Sequence, residues 1–168
     1  DGVWICYHDD SMDVSDTYIR QADGTNLPAA YNGKTWSEIS YAEAERWDWG
    51  VSKHARFAGT KPMKLEQFFT LCAKTGMRPI LSVHPLPSGS ELQEIKALAK
   101  ACGVLPVLGI KGAASFIPAL FQAFGNEVES YTCNVASGEQ PQSVIQSAVN
   151  TMNGLQGCTA RKVIELFK

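Results

Sequence analysis

The chain has 168 residues, 45% of them hydrophobic and 19% charged, with a formal net charge of −2. That length can bury a proper core and reads as a single domain over residues 1–168. Near-neutral charge and the lack of a basic run give no electrostatic case for nucleic acid or an anionic membrane, and no apolar stretch is long enough to span a bilayer.

The N-terminus, Asp1-Gly2-Val3, lacks the basic segment and long apolar run of a signal peptide. It also lacks an initiating Met, so the chain reads as beginning inside a longer gene product. Cys6, Cys72, Cys102, Cys133 and Cys158 are scattered, odd in number and form no C-x-x-C pair. They read as free thiols in a reducing, cytoplasmic compartment, without support for a zinc site.

In chain order, residues 3–7 (VWICY) form an apolar run rich in β-formers and predict a buried strand. From Asp9 to about Gly33 the composition turns to Asp, Ser, Thr, Asn and Gly without periodicity, which predicts a long loop. Ser40 caps a short helix, SYAEAERW, with Glu43 placed for a capping box. Leu65, Phe68, Phe69 and Cys72 have amphipathic helical spacing, ending at Gly76. RPILSVH (78–84) reads as a strand stopped by Pro85 and Pro87.

Ser90 begins a helix whose inner face is Leu92, Ile95, Leu98, Ala99 and Cys102, ended by Gly103. VLGIK (107–111) is the next strand, and Phe116 to Phe124 the next helix, broken at Gly125. EVESYTCN (127–134) reads as a strand, 141–153 as a helix with Pro141 in its first turn, and KVIELF (162–167) as a last strand. Apolar strands alternating with helices predict an α/β fold, a parallel sheet covered on both faces. About five strands and four or five helices, against the eight of each in a complete (β/α)8 barrel, leave an open sheet or a slice of a barrel.

Over about residues 1–84 four segments, in order, resemble the glycerophosphodiester phosphodiesterase family. Asp1-Gly2, VWICY and His8-Asp9 resemble its "DG, apolar strand, HD" segment. TWSEISYAEAERWDWG resembles the polar helix leading to an Asp-x-Gly turn, here Asp48-Trp49-Gly50. Phe57, Gly59, Pro62, Leu65 and Phe69 resemble its F-x-G-x-x-x-P-x-L-x-E-x-L segment, with Glu66 one place early. RPILSVH falls where the family has the strand ending in I-E-x-K.

The resemblance implies a (β/α) TIM-type barrel, incomplete in this chain, a divalent cation (Ca or Mg) as cofactor, and two histidines that move protons. His8 maps onto one of these histidines and would stand at the C-terminal end of a strand, where barrel active sites lie. The other histidine and the first metal carboxylates would precede residue 1. The third metal carboxylate aligns with Ser82 and the lysine with His84. A serine hydroxyl is a poor ligand for a hard cation. Val14-Ser15-Asp16-Thr17 replaces the usual Arg-Thr-Thr. The metal ligands of this chain are therefore unknown, and the family's metal site is not expected to assemble.

His8 has two readings, a catalytic position or a structural histidine at a strand end. Asp9 and Asp10 either meet a metal or orient the loop backbone. Ser82 and His84 alternate onto one side of their strand, as a phosphate-binding pair or as a satisfied polar cap. Lys111, at the end of another strand, would meet a phosphate as a point charge or lie solvated. Trp36, Trp47 and Trp49 either wall a ligand or pack a loop. Glu165 is a stray carboxylate of the site at most. His54 receives no role. No glycine-rich phosphate loop, G-x-S-x-G or H-E-x-x-H occurs.

The expected substrate is a small phosphodiester or glycerophosphate compound, hydrolysed to an alcohol and glycerol 3-phosphate. The competing class is a non-catalytic binding module for glycerophosphate-containing lipids or envelope polymers; a third is a scaffold without ligand. Open barrel edges predict a homo-oligomer, which a strictly monomeric species at micromolar concentration would count against.

Overall fold

Four parallel strands follow one another across the sheet in chain order, β1-β2-β3-β4, in the computed structural model. It describes residues 2–15, 18–135 and 142–166. The chain divides into two compact units, Asp1–Phe68 and Phe69–Lys168, with the division falling inside a helix.

That helix belongs to a series of five: α1 (Tyr41–Ala44), α2 (Leu65–Thr75), α3 (Gly89–Ala101), α4 (Ile117–Phe124) and α5 (Gln142–Asn153). The strands are β1 (Ile80–Ser82), β2 (Gly109–Ala113), β3 (Ser130–Val135) and β4 (Arg161–Leu166). Of the predicted α2 stripe, Leu65, Phe69 and Cys72 are buried and Phe68 is half-buried, and Gly76 follows at φ 70°, the left-handed geometry that stops a helix. α3 starts slightly before its predicted Ser90. Ser88 and Glu91 form a reciprocal capping box, with Glu91 Oε2 accepting from Ser88 N–H at 2.7 Å.

In the second unit α4 supplies the most apolar helix. Ile117, Leu120 and Phe124 are all fully buried, each contributing about 1.5–3 kcal/mol by transfer from water. Gly112 on β2 permits the fit, because a Cβ there would stand 3.1 Å from Leu120 Cδ1. The last turn of α4 is satisfied from α3, where Gln93 Nε2 and Lys96 Nζ both donate to the Ala123 carbonyl at 3.2 and 3.1 Å.

Sequential strand order without reversal is barrel topology, whereas a doubly wound sheet reverses its order. The fold is thus α/β, with the four parallel strands and intervening helices of an incomplete TIM-type barrel. Among the described residues the sheet has four strands where about five were expected. Residues 3–7 do not enter the sheet: Ile5 makes one antiparallel bridge to Lys64, flanked by Cys6 N–H to Met63 O and Leu65 N–H to Trp4 O, both 2.9 Å. A short apolar run cannot itself show which partner it will pair with. Here the pairing partner is the irregular segment just before α2, distant in sequence, and the run is only partly buried.

In the first unit Asp9 to Gly33 is irregular, as expected of a long loop, yet its described residues supply a core. Met12, Ile19 and Leu27 are 1%, 1% and 3% exposed and join Ile39, Ala44 and Trp47 in a core. Aperiodic spacing concealed these three apolar residues. Ser40 does cap α1, accepting from Glu43 N–H, but the Glu43 carboxylate is engaged by the Tyr31 hydroxyl.

Asp48 organises the rest. Its Oδ1 accepts from Gly50 and Val51 N–H at 2.9 and 2.8 Å, and its Oδ2 from Gly59 N–H at 2.6 Å. These amides, Gly59 and Gly50 foremost, hold the carboxyl below the usual carboxylate range. Gly50 is required by close approach, since a Cβ there would lie 2.3 Å from the Phe57 carbonyl oxygen.

Candidate functional site

Residues in register on adjacent parallel strands project to the same side of the sheet, as do alternate residues along each strand. One side carries Ile110, Gly112, Tyr131 and Cys133, with α4 against it. Ile110, Tyr131 and Cys133 on that side are fully buried. Burial pushes the Cys133 thiol up, which keeps it neutral and unsuited to nucleophilic work. Tyr131 is raised by burial as well, and its hydroxyl donates to the Gly125 carbonyl at 2.6 Å.

The other side is polar toward the C-terminal ends of the strands. Ser82, Lys111, Thr132 and Val163 form one cross-strand row; Ala113, Asn134 and Glu165 form the next. Lys111 Nζ reaches over β3 to Glu165 Oε2 at 2.8 Å, linking the two rows. Thr132 beside Lys111 is 8% exposed. Asn134 Oδ1 is buried and accepts no hydrogen bond among the described residues. Such an unpaired acceptor costs about 1–3 kcal/mol.

At the N-terminal ends the charges have a different arrangement. Glu129 receives Arg78 at 2.6 Å and lies 4.0 Å from Arg161, clamping the starts of the outer strands to the middle of the sheet. In barrels that end serves stability and the opposite end serves chemistry.

Of the sequence-predicted residues, Ser82 and Lys111 are in register on neighbouring strands. His84 lies two residues past Ser82, exposed, with its ring 6.1 Å from that of Phe116. Lys111 is held by Glu165, so the stray carboxylate is part of the site's polar row. Sequence reasoning missed Thr132 and Asn134. The alternation Ser130, Thr132, Asn134 against Tyr131 and Cys133 carried the signal, a strand with one polar side.

His8 lies in the first unit, after a segment that is not a sheet strand, which corrects its expected place at a strand end. Its side chain is 96% exposed, and Nδ1 stands 2.7 Å from Asp9 Oδ1. Asp9 is anchored by Trp36, whose Nε1–H donates to its carbonyl oxygen at 2.9 Å. This bond, rather than a strand, fixes the His8-Asp9 turn. Trp36 and Trp49 pack edge-on against Tyr7 at 4.6 and 5.6 Å, and Trp47 against Tyr31 at 4.9 Å. These contacts pack the rings onto the core of Met12, Ile19, Leu27, Ile39, Ala44 and Trp47.

A divalent cation does not fit the described residues. Among them no three His, Cys, Asp or Glu side chains converge as a metal group, and an exposed Ser82 occupies β1 where the resemblance places a carboxylate. No helix among the described residues is long and apolar enough to cross a membrane.

No family model and no curated protein matches this sequence. Among solved structures, the chain is similar to a protein of Silicibacter pomeroyi DSS-3 provisionally named a glycerophosphoryl diester phosphodiesterase, at 18% identity and a TM-score of 0.60. The match covers 87% of this chain and 58% of the other. At that identity the likeness is one of fold, and it agrees with the barrel topology of the strands.

Proposed function

We propose that this chain is part of a phosphoric diester hydrolase of the glycerophosphodiester phosphodiesterase type, acting on a glycerophosphodiester to give an alcohol and glycerol 3-phosphate. The observation that carries the reading is the polar row at the C-terminal strand ends, within a sheet whose fold resembles that of a phosphodiesterase-named barrel. In the reaction, water adds to phosphorus, the bond from phosphorus to the alcohol oxygen breaks, and a proton passes to the departing oxygen. The family resemblance assigns that proton transfer to His8, whose ring nitrogens can donate and accept. With Nδ1 engaged by Asp9, its Nε2 edge faces solvent. Ser82, His84 and Lys111 are the candidates for contact with the ligand.

Ser82 favours a second reading. Without a carboxylate at that position, the same strand ends would bind a glycerophosphate-containing lipid or polymer and leave it intact. The deciding experiment is release of glycerol 3-phosphate from glycerophosphocholine, with calcium or magnesium added, by this chain and by His8→Ala. Metal-dependent turnover that falls at least 100-fold in the variant, in the range general acid–base catalysis supplies, supports hydrolysis. Absence of turnover from both, alongside saturable binding of glycerol 3-phosphate, transfers the conclusion to the binding module. Turnover unchanged by His8→Ala removes His8 from the mechanism.

A further inference from the structure

We propose that the turn over residues 51–64 of the first unit is a docking surface for an anionic lipid bilayer, on which Lys53 and Arg56 meet the headgroups while Tyr18 and Phe57 enter the interface. The inference stands on this surface alone and is independent of the hydrolase reading.

A net charge of −2 conceals where the charges lie. Between Asp48 and Glu66 the chain carries Lys53, Arg56, Lys61 and Lys64 and no carboxylate side chain. Asp48 itself is buried, with both oxygens turned onto the Gly50, Val51 and Gly59 amides. Every residue from Ser52 to Lys61 is exposed, so the segment projects instead of lining a groove. Its backbone is nonetheless bonded within itself. Lys53 N–H donates to Gly50 O, Phe57 N–H to His54 O and Thr60 N–H to Phe57 O, at 3.0, 2.9 and 3.2 Å. Arg56 N–H donates to His54 Nδ1 at 3.2 Å. The turn is therefore shaped before any partner arrives, which lowers the ordering cost of binding.

Two aromatic rings stand out from it, Tyr18 at 54% and Phe57 at 43% exposed, and each carries a cation. Lys53 Nζ lies 3.6 Å from the Tyr18 ring centroid, and the Arg56 guanidinium 4.5 Å from that of Phe57. Ser52 Oγ donates to the Tyr18 carbonyl, and the His54 ring lies edge-on to Phe57 at 6.4 Å, so the two pairs form one patch. Among the described residues no carboxylate pairs with Lys53 or Arg56. An exposed ring beside a long cationic stem suits a bilayer boundary, where the ring enters the acyl edge and the charge reaches the phosphates. An acidic peptide is gripped by a groove or a sheet edge, which a projecting turn does not provide. A nucleic-acid strand stacks its bases on open ring faces, and one face of each ring is covered here by a cation.

The test is co-sedimentation of the whole chain with vesicles of phosphatidylcholine alone, and of three parts phosphatidylcholine to one of phosphatidylserine. It is repeated on the double variant Lys53→Gln with Arg56→Gln, and on a charge-matched control, Lys74→Gln with Lys162→Gln, whose lysines are exposed on the second unit. The parent should partition at least tenfold more strongly onto the anionic vesicles. Loss of Lys53 and Arg56 should weaken that partition about 25-fold, at about fivefold for each cation near an anionic surface. The control should keep most of it. Tryptophan emission, which reports the first unit, should be the same in parent and double variant, so lost binding is not lost fold. Equal partition onto both vesicles, no partition onto either, or equal losses in variant and control overturns the inference. Tighter binding of poly-glutamate or of an oligouridylate than of the anionic vesicles also overturns it, and gives the turn to an acidic peptide or to RNA.

Discussion

Up to Lys64 the longest helix is the four-residue α1, and strand pairing consists of isolated bridges such as Ser11 to Thr35 and Arg20 to Asp48. From Phe69 onward the chain alternates four strands with helices of up to 13 residues. The first unit satisfies its backbone one group at a time, through side chains such as Asp48 and Trp36. The second satisfies it through ladders and helical turns, leaving its side chains to form an apolar layer on one side of the sheet and a polar row on the other. A unit of the first kind depends on a few polar residues; a unit of the second depends on its packing.

The largest effect should therefore come from a core truncation in the second unit. Leu120→Ala removes a fully buried side chain between α4 and β2, and such changes cost about 2–5 kcal/mol. Denaturant unfolding followed by far-UV ellipticity reads it, because the long helices lie there. All four tryptophans, Trp4, Trp36, Trp47 and Trp49, lie in the first unit, so fluorescence reports that unit separately. A fluorescence midpoint that falls as far as the ellipticity midpoint would merge the two units into one cooperative body and erase the contrast.

The converse perturbation is Asp48→Asn, which keeps one acceptor oxygen but cannot serve Gly50, Val51 and Gly59 together. The fluorescence midpoint should fall by several degrees and the ellipticity midpoint by less. pH gives the same comparison without mutation. The folded Asp48 pKa lies below its unfolded value, so its stabilisation is fully present above the unfolded value, near 3.9, and is lost as pH falls through the folded one. Acid should shift the fluorescence transition in the parent and shift it less in Asp48→Asn. An acid profile identical in both proteins would show that the carboxylate does not staple the turn.

The contrast also explains what was legible in the sequence. Gly76, Gly103 and Gly125 each end a helix at positive φ, and the apolar spacing between them located α2, α3 and α4 almost to the residue. That succeeded because helix-on-sheet packing imposes a period. No period governs the first unit, so the core formed by Met12, Ile19 and Leu27 read as a loop, and VWICY read as a strand it does not form. Yet two motif fragments there proved to be one physical object. Asp48-Trp49-Gly50 and Phe57-Ala58-Gly59 meet through the Asp48 carboxylate, the Gly59 amide and the missing Cβ of Gly50. The candidate site was half legible. Ser82 was placed correctly at the end of β1, whereas Lys111, expected to end its strand, stands in the middle of β2, and Asn134 needed the knowledge that one side of the sheet is polar.

The smallest effect tests that polar side directly. Lys111 and Glu165, 20% and 42% exposed, form a pair that solvent partly screens. A double-mutant cycle with Lys111→Met and Glu165→Gln should give a coupling of about 0.5–1 kcal/mol, since exposed pairs contribute little and partial burial adds to that. Salt at 1 M, where the Debye length is about 3 Å, should reduce the exposed part of it. Zero coupling at low salt would mean that the two side chains cross over β3 without holding one another. Lys111 would then not be neutralised by that carboxylate, and the row would favour an anion such as phosphate. A measurable coupling keeps the row neutral, and with it the contrast between a second unit whose polar side is organised for a ligand and a first unit whose polar groups are occupied with its own backbone.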